Sequence, residues 1–399
     1  MSGREHEQVV VEVTAKDVEE SNHILRKLYE ELSKTKPMRW QFSTFRNNTD
    51  MFLGFSNFGE VWIHYKVKGK IDKISFLRCK EEDQALIEAA IKEADSNHEK
   101  MLDYSVIAEF PIKTVVLAEM AKDQINITGK KIDDCNSRII ATFNIAAYGD
   151  YDVNYLVQQK VNYLRLLLAV YTNKALDYPR IRIAKGARDI PDLFWSGYDE
   201  EWIDSFYEST GDENAVLLPD FFTLFWYVLN HDCYSENIRL VLNAAQDYFC
   251  AALMKKRLIE DGADRLPGIV DSINTMLISA LEPLSCIGRE KPQTCPTCGN
   301  KIYKISSHIR ELCDEYLGET LAKQIVDIGY KNRSTFLHEG FAQTNEIYCG
   351  NSYPQLNPVT KREISWVAPK IEEEYFDFVS YIIRKKIRDV LLTAGVKDE

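Results

Sequence analysis

Residues 235–253, SENIRLVLNAAQDYFCAAL, predict a long amphipathic helix and determine how the second half of the chain folds. Their apolar side chains recur every three or four residues, which is the repeat of one helix face. These side chains are Ile238, Leu242, Ala245, Tyr248, Phe249, Ala252 and Leu253. Ser235 stands directly before them, where a side-chain oxygen can cap the first turn. We therefore predict a helix that begins after Ser235 and buries one face.

The same repeat continues on both sides of this segment, so the chain is predicted to be mostly helical from residue 217. Further helices are expected at 218–229, 266–284, 308–317, 321–341 and 372–392, with a polar loop at 345–366. Short connections between amphipathic helices place them antiparallel in one bundle. Residues 217–399 are therefore predicted to form an all-α domain, with an insertion near 286–307 that carries a Cys-x-x-Cys pair.

The first 150 residues alternate between strand and helix patterns. Apolar and polar side chains alternate at 9–13 and 61–67 and again within 104–118 and 139–147, as in strands with one buried face. Helical repeats at 16–33 and 80–100 separate them, and Thr14 is the expected N-cap of the first. We predict an α+β domain at 1–150, followed at 151–216 by a helix and a connector containing several prolines and glycines.

Composition is that of an ordinary globular protein, since 28% of the 399 residues are charged and 45% are hydrophobic. The formal net charge of −12 opposes non-specific binding of nucleic acid, so any RNA contact requires a local basic patch. The apolar stretch at 161–171 contains Asn162 and Arg165 and is too short to span a bilayer. Residues 1–8 are polar and do not look like a signal peptide, so we expect a cytoplasmic protein with no membrane partner.

The segment YKNRSTFLHEG, residues 330–340, pairs a guanidinium with an imidazole across four intervening residues. An imidazole with a pKa near ~6.5 can accept or donate a proton at neutral pH, as His338 would. A guanidinium such as Arg333 can bind a phosphate through two N–H groups and stabilise developing negative charge. This pair suits metal-free RNA cleavage by the 2′-hydroxyl, leaving a 2′,3′-cyclic phosphate and a 5′-hydroxyl. The spacing alone is weak evidence, because about one chance match per chain is expected.

Residues 217–399 resemble the HEPN domains (higher eukaryotes and prokaryotes nucleotide-binding), specifically the Apea-like branch. In that family an Arg, four to six residues and a His define the active site, a pattern that Arg333 and His338 match. Glu282, in the run Leu-Glu-Pro-Leu, matches a Glu of an earlier helix. The resemblance implies an endoribonuclease that needs no cofactor for catalysis. It also implies a toxin-like role in bacterial antiviral defence, in which RNA cleavage halts growth as an abortive infection.

Several predictions accompany the resemblance. Asn332 and Ser334 flank the arginine and are candidate supporting groups with Glu282, although Ser334 fits an ordinary helix hydroxyl equally well. Pro283 directly follows Glu282 within the predicted helix, which departs from the family pattern. The resemblance does not reach the first 150 residues, where we expect a sensor of a phage-derived or nucleotide trigger. The alternative function is a HEPN fold that binds nucleotides or a partner without cutting RNA.

Helix geometry also predicts a dimer. Five residues of α-helix place Arg333 and His338 roughly 140° apart around the axis, so they cannot be neighbours on one helix face. A bend or a helix start between them would change this angle. A two-fold homodimer offers another solution, because each protomer can supply an Arg and a His to one shared groove. The family resemblance implies the same arrangement, with the dimer formed through the helical domain.

Cys295 and Cys298 form the only closely spaced pair among nine cysteines. Two thiolates on a tight turn can bind zinc, but tetrahedral zinc needs four ligands. Candidate further ligands are His308 and Cys313, or Cys286. A two-cysteine insertion at this place occurs in some relatives, so a structural zinc is one prediction, and a metal-free turn or a redox pair are the alternatives.

Two basic clusters interrupt the acidic background. One lies on the last predicted helix and contains Arg384, Lys385, Lys386 and Arg388. The other lies in the connector and contains Arg180, Arg182, Lys185 and Arg188. Such clusters are usually solvated faces, but in a protein that resembles a ribonuclease they are candidate RNA phosphate contacts, with Arg384, Lys385 and Arg388 the preferred set.

Overall fold

The structure is a computed structural model that describes twelve segments of the chain. They are residues 8–36, 38–47, 49–67, 69–112, 119–132, 137–193, 219–260, 269–289, 304–339, 354–356, 364–366 and 373–393. These residues form two five-stranded antiparallel sheets, a two-stranded ribbon and a set of helices. The class is therefore mixed α and β, as the sequence predicts.

The first sheet contains a meander of four consecutive strands, and the first described strand of the chain pairs with the last strand of that meander. Its strands are β1 (Gln8–Glu12), β2 (Trp40–Asn47), β3 (Asp50–Ser56), β4 (Gly59–Val67) and β5 (Lys70–Leu77), in the order β1-β5-β4-β3-β2. Helices α1 (Val18–Thr35) and α2 (Glu81–Asn97) bury their apolar faces in the same core. The N-cap of α1 is Asp17, which accepts a hydrogen bond from the Glu20 amide at 2.8 Å. The Thr14 amide instead binds Asp95, so Thr14 was the wrong cap.

The second sheet contains a strand that the sequence placed in a connector. It comprises β6 (Leu102–Ile112), β7 (Met120–Lys122), β8 (Ile125–Lys131), β9 (Ser137–Ala147) and β10 (Arg180–Lys185), in the order β10-β6-β9-β8-β7. Strand β10 pairs antiparallel with β6 at one edge. Its side chains alternate between exposed Arg180 and Arg182 and half-buried Ile181 and Ile183. The alternation was visible in the sequence but was interpreted as a basic cluster.

Eight helices follow the strand β9 within the described residues. They are α3 (Asp150–Thr172), α4 (Pro219–Asn230), α5 (Glu236–Glu260), α6 (Ile269–Ser285), α7 (Ile305–Leu317), α8 (Glu319–Gln324), α9 (Lys331–Glu339) and α10 (Glu373–Thr393). Ser235 caps α5 as predicted, since the Ile238 amide lies 3.3 Å from its hydroxyl. The helix predicted at 321–341 is divided into α8, a π-helical turn (Ile325–Tyr330) and α9. Part of the predicted polar loop forms a ribbon of β11 (Pro354–Leu356) and β12 (Ile364–Trp366).

The buried core is divided at a different place from the predicted domain boundary. One apolar cluster contains side chains from Val9 to Ala94, and the other contains side chains from Tyr104 to Leu391. The second cluster joins the second sheet to the helices, as where the Phe143 ring of β9 meets the Phe225 ring of α4 at 5.6 Å. In the part of the chain that the structure describes, the helices after residue 217 therefore share one core with the second sheet. Alternation along a strand predicts that one face is buried, but not which element covers it.

A polar network connects α1 to the helical part of the molecule. The Arg26 guanidinium binds both carboxylate oxygens of Asp152 at 2.9 Å and also pairs with Asp232. Glu30 accepts hydrogen bonds from the Tyr151 and Asp152 amides in the first turn of α3. None of the helices that the structure describes combines the length and the hydropathy needed to cross a membrane.

Candidate active site

The helix that carries Arg333 approaches α6 through the π-helical turn before it. Gly329 lies in this turn against Ile278 of α6, and a Cβ atom at 329 would come within 2.8 Å of the Ile278 Cδ1 atom. Ile278 is buried and has little room to move away. Single π-helical turns are often found at functional sites, because they change the direction in which the following side chains point. Here the turn sets the position of α9 against α6.

Arg333 is held by two side chains of α6. Its Nε–H donates to the Ser279 hydroxyl at 2.9 Å, and its Nη2 atom lies 2.8 Å from the Glu282 Oε1 atom. The guanidinium carbon also lies 5.6 Å from the centre of the Tyr330 ring. The Arg333 side chain is 14% exposed and that of Glu282 is 26% exposed. A charge-assisted pair in this setting fixes the orientation of the planar guanidinium.

Two carboxyl groups share the charge of Arg333. Burial raises the pKa of Glu282, while Arg333 opposes that rise and the negative charge of Asp247 adds to it. Burial also raises the pKa of Asp247 on α5, again opposed by Arg333. The site therefore combines one guanidinium with two carboxyl groups that hold protons more tightly than usual. When they are ionised, these carboxylates offset the positive charge of the arginine.

Glu282 occupies its place although a proline follows it. Pro283 has no N–H to donate to the Ser279 carbonyl one turn earlier. Helix α6 nevertheless continues to Ser285, whose hydroxyl donates to the Glu282 carbonyl at 2.8 Å. The structure thus brings Glu282 and Arg333 together.

His338 does not join this contact within one chain. It lies exposed at the end of α9, which is continuous from Lys331 to Glu339. In the described part of the chain, no hydrogen bond, ion pair or ring contact connects His338 to Arg333. Because both residues lie in this one continuous helix, ideal helix geometry separates them by about 140° around its axis. Ser334 is half-buried on the same helix, and the side chain of Asn332 lies outside the described residues.

Comparison with known proteins does not place this arrangement in a family. No protein-family model, curated protein or solved structure matches the chain. The resemblance to HEPN domains therefore depends on the motif residues in the sequence alone. The contacts of Arg333 are the basis for proposing what chemistry the site performs.

The predicted zinc ligands are only partly within the described residues. Cys295 and Cys298 lie outside them, so the pair stays a prediction. Cys313 is fully buried among apolar side chains of the core, and burial raises its pKa to about 12. Zinc binds the thiolate, which such burial disfavours, so the burial argues against Cys313 as a ligand, and its role stays a prediction. His308 is half-buried on α7, and among the described residues no three metal-binding side chains cluster.

The predicted RNA contacts on α10 are divided between core and surface. Arg384 is 1% exposed, and burial lowers the pKa of its guanidinium to about 10. It cannot contact a phosphate on the surface, which corrects the prediction for this residue. Lys385 is half-buried with its ammonium 5.6 Å from the centre of the Tyr381 ring, and Arg388 is exposed. A run of basic residues on a helix points in all directions, so one member of the run faced the core.

Sequence reasoning missed two residues of the site. Ser279 lies three residues before Glu282 on α6, and helix geometry alone could have suggested that both face the same neighbour. Asp247 lies on α5, and its position beside Arg333 follows only from the packing of α5 against α6. No spacing rule connects Asp247 to the motif.

Proposed function

We propose that this protein is a metal-independent endoribonuclease of the HEPN type, with Arg333 and His338 as its catalytic residues. The observation that carries the proposal is the contact between the Arg333 Nη2 atom and Glu282 at 2.8 Å. Three residues were selected from the sequence by the family pattern. Two of them, from separate helices, meet in the folded chain. If the match to the family pattern were accidental, there would be no reason to expect the side chains of the two matched residues to contact each other.

Arg333 is suited to bind a phosphate in a fixed orientation. A guanidinium has five N–H donors, of which the Nε–H is used by Ser279 and one at Nη2 by Glu282. Among the described residues these are the donor groups that are used, and the remaining donors can bind the non-bridging oxygens of a phosphate. Because α6 fixes the plane of the guanidinium before the substrate binds, the charge need not be reorganised as the phosphorane forms.

His338 supplies the proton transfers. An exposed imidazole can take the proton of the 2′-hydroxyl while that oxygen attacks the adjacent phosphorus. The bond from phosphorus to the 5′-oxygen then breaks, and a protonated imidazole returns a proton to the leaving oxygen. The products are a 2′,3′-cyclic phosphate and a 5′-hydroxyl. No metal ion and no cofactor is needed at the phosphate.

A two-fold dimer brings the two groups to one substrate. Arg333 is directed toward α6 and His338 lies exposed at the far end of α9, so one chain does not present both to one phosphate. Two α9 helices related by a two-fold axis place the histidine of each chain near the arginine of the other. RNA then occupies the groove between the protomers.

The biological setting of the proposal is bacterial defence. RNA cleavage by a cytoplasmic enzyme of this kind would halt growth of an infected cell before phage replicate. The first sheet with α1 and α2 has its own core and would hold the sensor for a phage-derived or nucleotide trigger. Its connection to the helices through Arg26 and Asp152 offers a route by which a trigger changes the second part of the molecule.

One observation favours a second function, in which the fold binds nucleotides or a partner without cutting. Arg333 is only 14% exposed and already ion-paired, as a purely structural arginine would be. Purified protein incubated with total RNA in the presence of EDTA separates the two functions. Cyclic phosphate and 5′-hydroxyl ends support the endoribonuclease, whereas intact RNA, or ends carrying a 5′-phosphate, contradict it.

A further inference from the structure

A cleft of about 480 Å³ opens between α3 and α5, outside the contacts of Arg333. One side is aromatic and is formed by Tyr163 and Tyr234. The other side is polar and is formed by α5, through Glu236, Arg239, Asn243 and Gln246. The cleft therefore offers ring surfaces, a cation and two amides within one small volume.

The aromatic side is fixed in place from within the protein. The Tyr234 hydroxyl donates to the Val228 carbonyl at 3.2 Å and accepts from the Lys160 ammonium at 3.2 Å. Lys160 is 1% exposed and also donates to the Val228 and His231 carbonyls. The Tyr163 ring stands perpendicular to that of Tyr234, with 5.7 Å between the ring centres. An anchored tyrosine pair is a stable surface against which a planar base can pack.

The polar side is unpaired and faces outward. Arg239, Asn243 and Gln246 are exposed on α5. Within the described residues, none of these three side chains makes a hydrogen bond or an ion pair. An arginine of this kind can bind a phosphate, and amide groups can donate to and accept from the edge of a base. The groups match one nucleotide, with a base, a sugar and a phosphate.

The cleft is connected to the Arg333 site along α5. Asn243 and Asp247 lie one turn apart on the same face of α5, with a rise of about 6 Å between them. Asp247 is close enough to Arg333 for their charges to interact. Arg239 precedes Asp247 by about 12 Å along the helix axis. A strand whose scissile phosphate is bound at Arg333 can therefore follow the outer face of α5 into the cleft.

We infer that the cleft binds a nucleotide of single-stranded RNA next to the scissile phosphate. The base packs against Tyr163 and Tyr234, the amides of Asn243 and Gln246 contact its edge, and Arg239 binds a phosphate. The inference rests on the proposed function, because it takes RNA as the substrate. It adds a subsite that favours single strands, since the faces of a paired base are stacked on its neighbours and are not free to pack against the two tyrosines.

The probe that tests the subsite is a short fluorescent RNA, 2′-O-methylated at every residue so that 2′-hydroxyl attack is impossible. Its affinity is measured by anisotropy with the full-length protein. Tyr163→Ala and Arg239→Ala should each weaken binding about fivefold or more, since a stack or a phosphate contact is lost. Tyr163→Phe retains the ring and Arg39→Ala removes an exposed arginine near the first sheet, so both should bind as the wild type does.

The outcomes separate this inference from the proposed function. Equal affinity for wild type, Tyr163→Ala and Arg239→Ala overturns the subsite, and so does a wild-type protein that does not bind the probe. Binding that depends on Tyr163 and Arg239, in a protein that leaves unmodified RNA intact, supports the subsite and contradicts the endoribonuclease. Both variants change exposed or half-exposed side chains, and their circular dichroism should confirm that they fold.

Discussion

The Nη2 atom of Arg333 lies 2.8 Å from the Glu282 carboxylate, and this pair connects α9 to α6 at the candidate active site. Ser279 holds the Nε–H of the same guanidinium, so α6 determines both the position and the plane of the group. A catalytic arginine needs such support, because a guanidinium that rotates freely must be ordered before it can stabilise the charge on the phosphate in the transition state.

Glu282→Gln tests whether the pair positions Arg333. Glutamine keeps an acceptor oxygen of similar size but loses the charge, so we expect the single-turnover rate of RNA cleavage to fall about tenfold. Affinity for uncleavable RNA should change little, because the arginine charge remains. Glu311→Gln, on the exposed face of α7, is the matched control. An unchanged cleavage rate in Glu282→Gln would show that Arg333 does not depend on this carboxylate.

Arg26→Ala tests the connection between α1 and the helices. Asp152 is 3% exposed and would lose its bidentate partner, which leaves a buried carboxylate that, among the described residues, accepts only the hydrogen bond from the Tyr148 amide. Breaking such a pair costs about 3–5 kcal/mol in the free energy of unfolding, measured by urea denaturation. Lys92→Ala breaks an exposed pair with Glu88 and should cost no more than about 0.5 kcal/mol. Equal stability of the two variants would mean that the Arg26 network does not hold the parts together.

The pH dependence of stability should reveal the buried lysine beneath the cleft. Burial lowers the pKa of Lys160 from 10.5 to about 8, opposed by Asp232 and reinforced by Arg26. Between these values the folded protein binds fewer protons than the unfolded chain, so its free energy of unfolding rises with pH. We expect a rise between about pH 8 and about pH 10.5, and Lys160→Met should flatten it. A Lys92→Met control should keep the wild-type slope, and a wild-type slope in Lys160→Met would contradict the assignment.

Zinc content tests which of the predicted cysteines bind the metal. We expect about one zinc per chain by metal analysis, lost in Cys295→Ser and retained in Cys313→Ser. Cys313 lies in the core, so its serine variant should lower thermal stability without releasing metal. Zinc lost from Cys313→Ser in folded protein would show that Cys313 is a ligand despite its burial. Wild-type protein without zinc would leave Cys295 and Cys298 as a metal-free turn or a redox pair.

Local patterns in the sequence were sufficient to predict most helices. The apolar repeat and the Ser235 cap give the start of α5 at Glu236, because both depend on residues within a few turns of each other, whereas the helix continues to Glu260, beyond the predicted stretch. The same applies to α10, predicted at 372–392 and found at Glu373–Thr393. The π-helical turn before α9 was not predicted, since it depends on the close approach of Gly329 to Ile278 on another helix.

Contacts between distant segments could not be predicted from one sequence. The repeat on α10 identifies its apolar face, but it did not show that Arg384 would be enclosed by the core. The motif pointed to Arg333 and Glu282, yet Asp247 became part of the site only through the packing of three helices. The shared core of the second sheet and the helices is likewise a property of the assembled chain.

The most direct test of the central claim compares RNA cleavage by wild type and His338→Ala in EDTA. Their product ends are mapped, and binding of uncleavable RNA is measured in parallel. The wild type should yield cyclic phosphate ends, and His338→Ala should yield none while binding RNA nearly as well, because a neutral imidazole adds little to phosphate affinity. His64→Ala, on a strand of the first sheet, should cleave as the wild type does. Cleavage retained by folded His338→Ala protein would contradict the account.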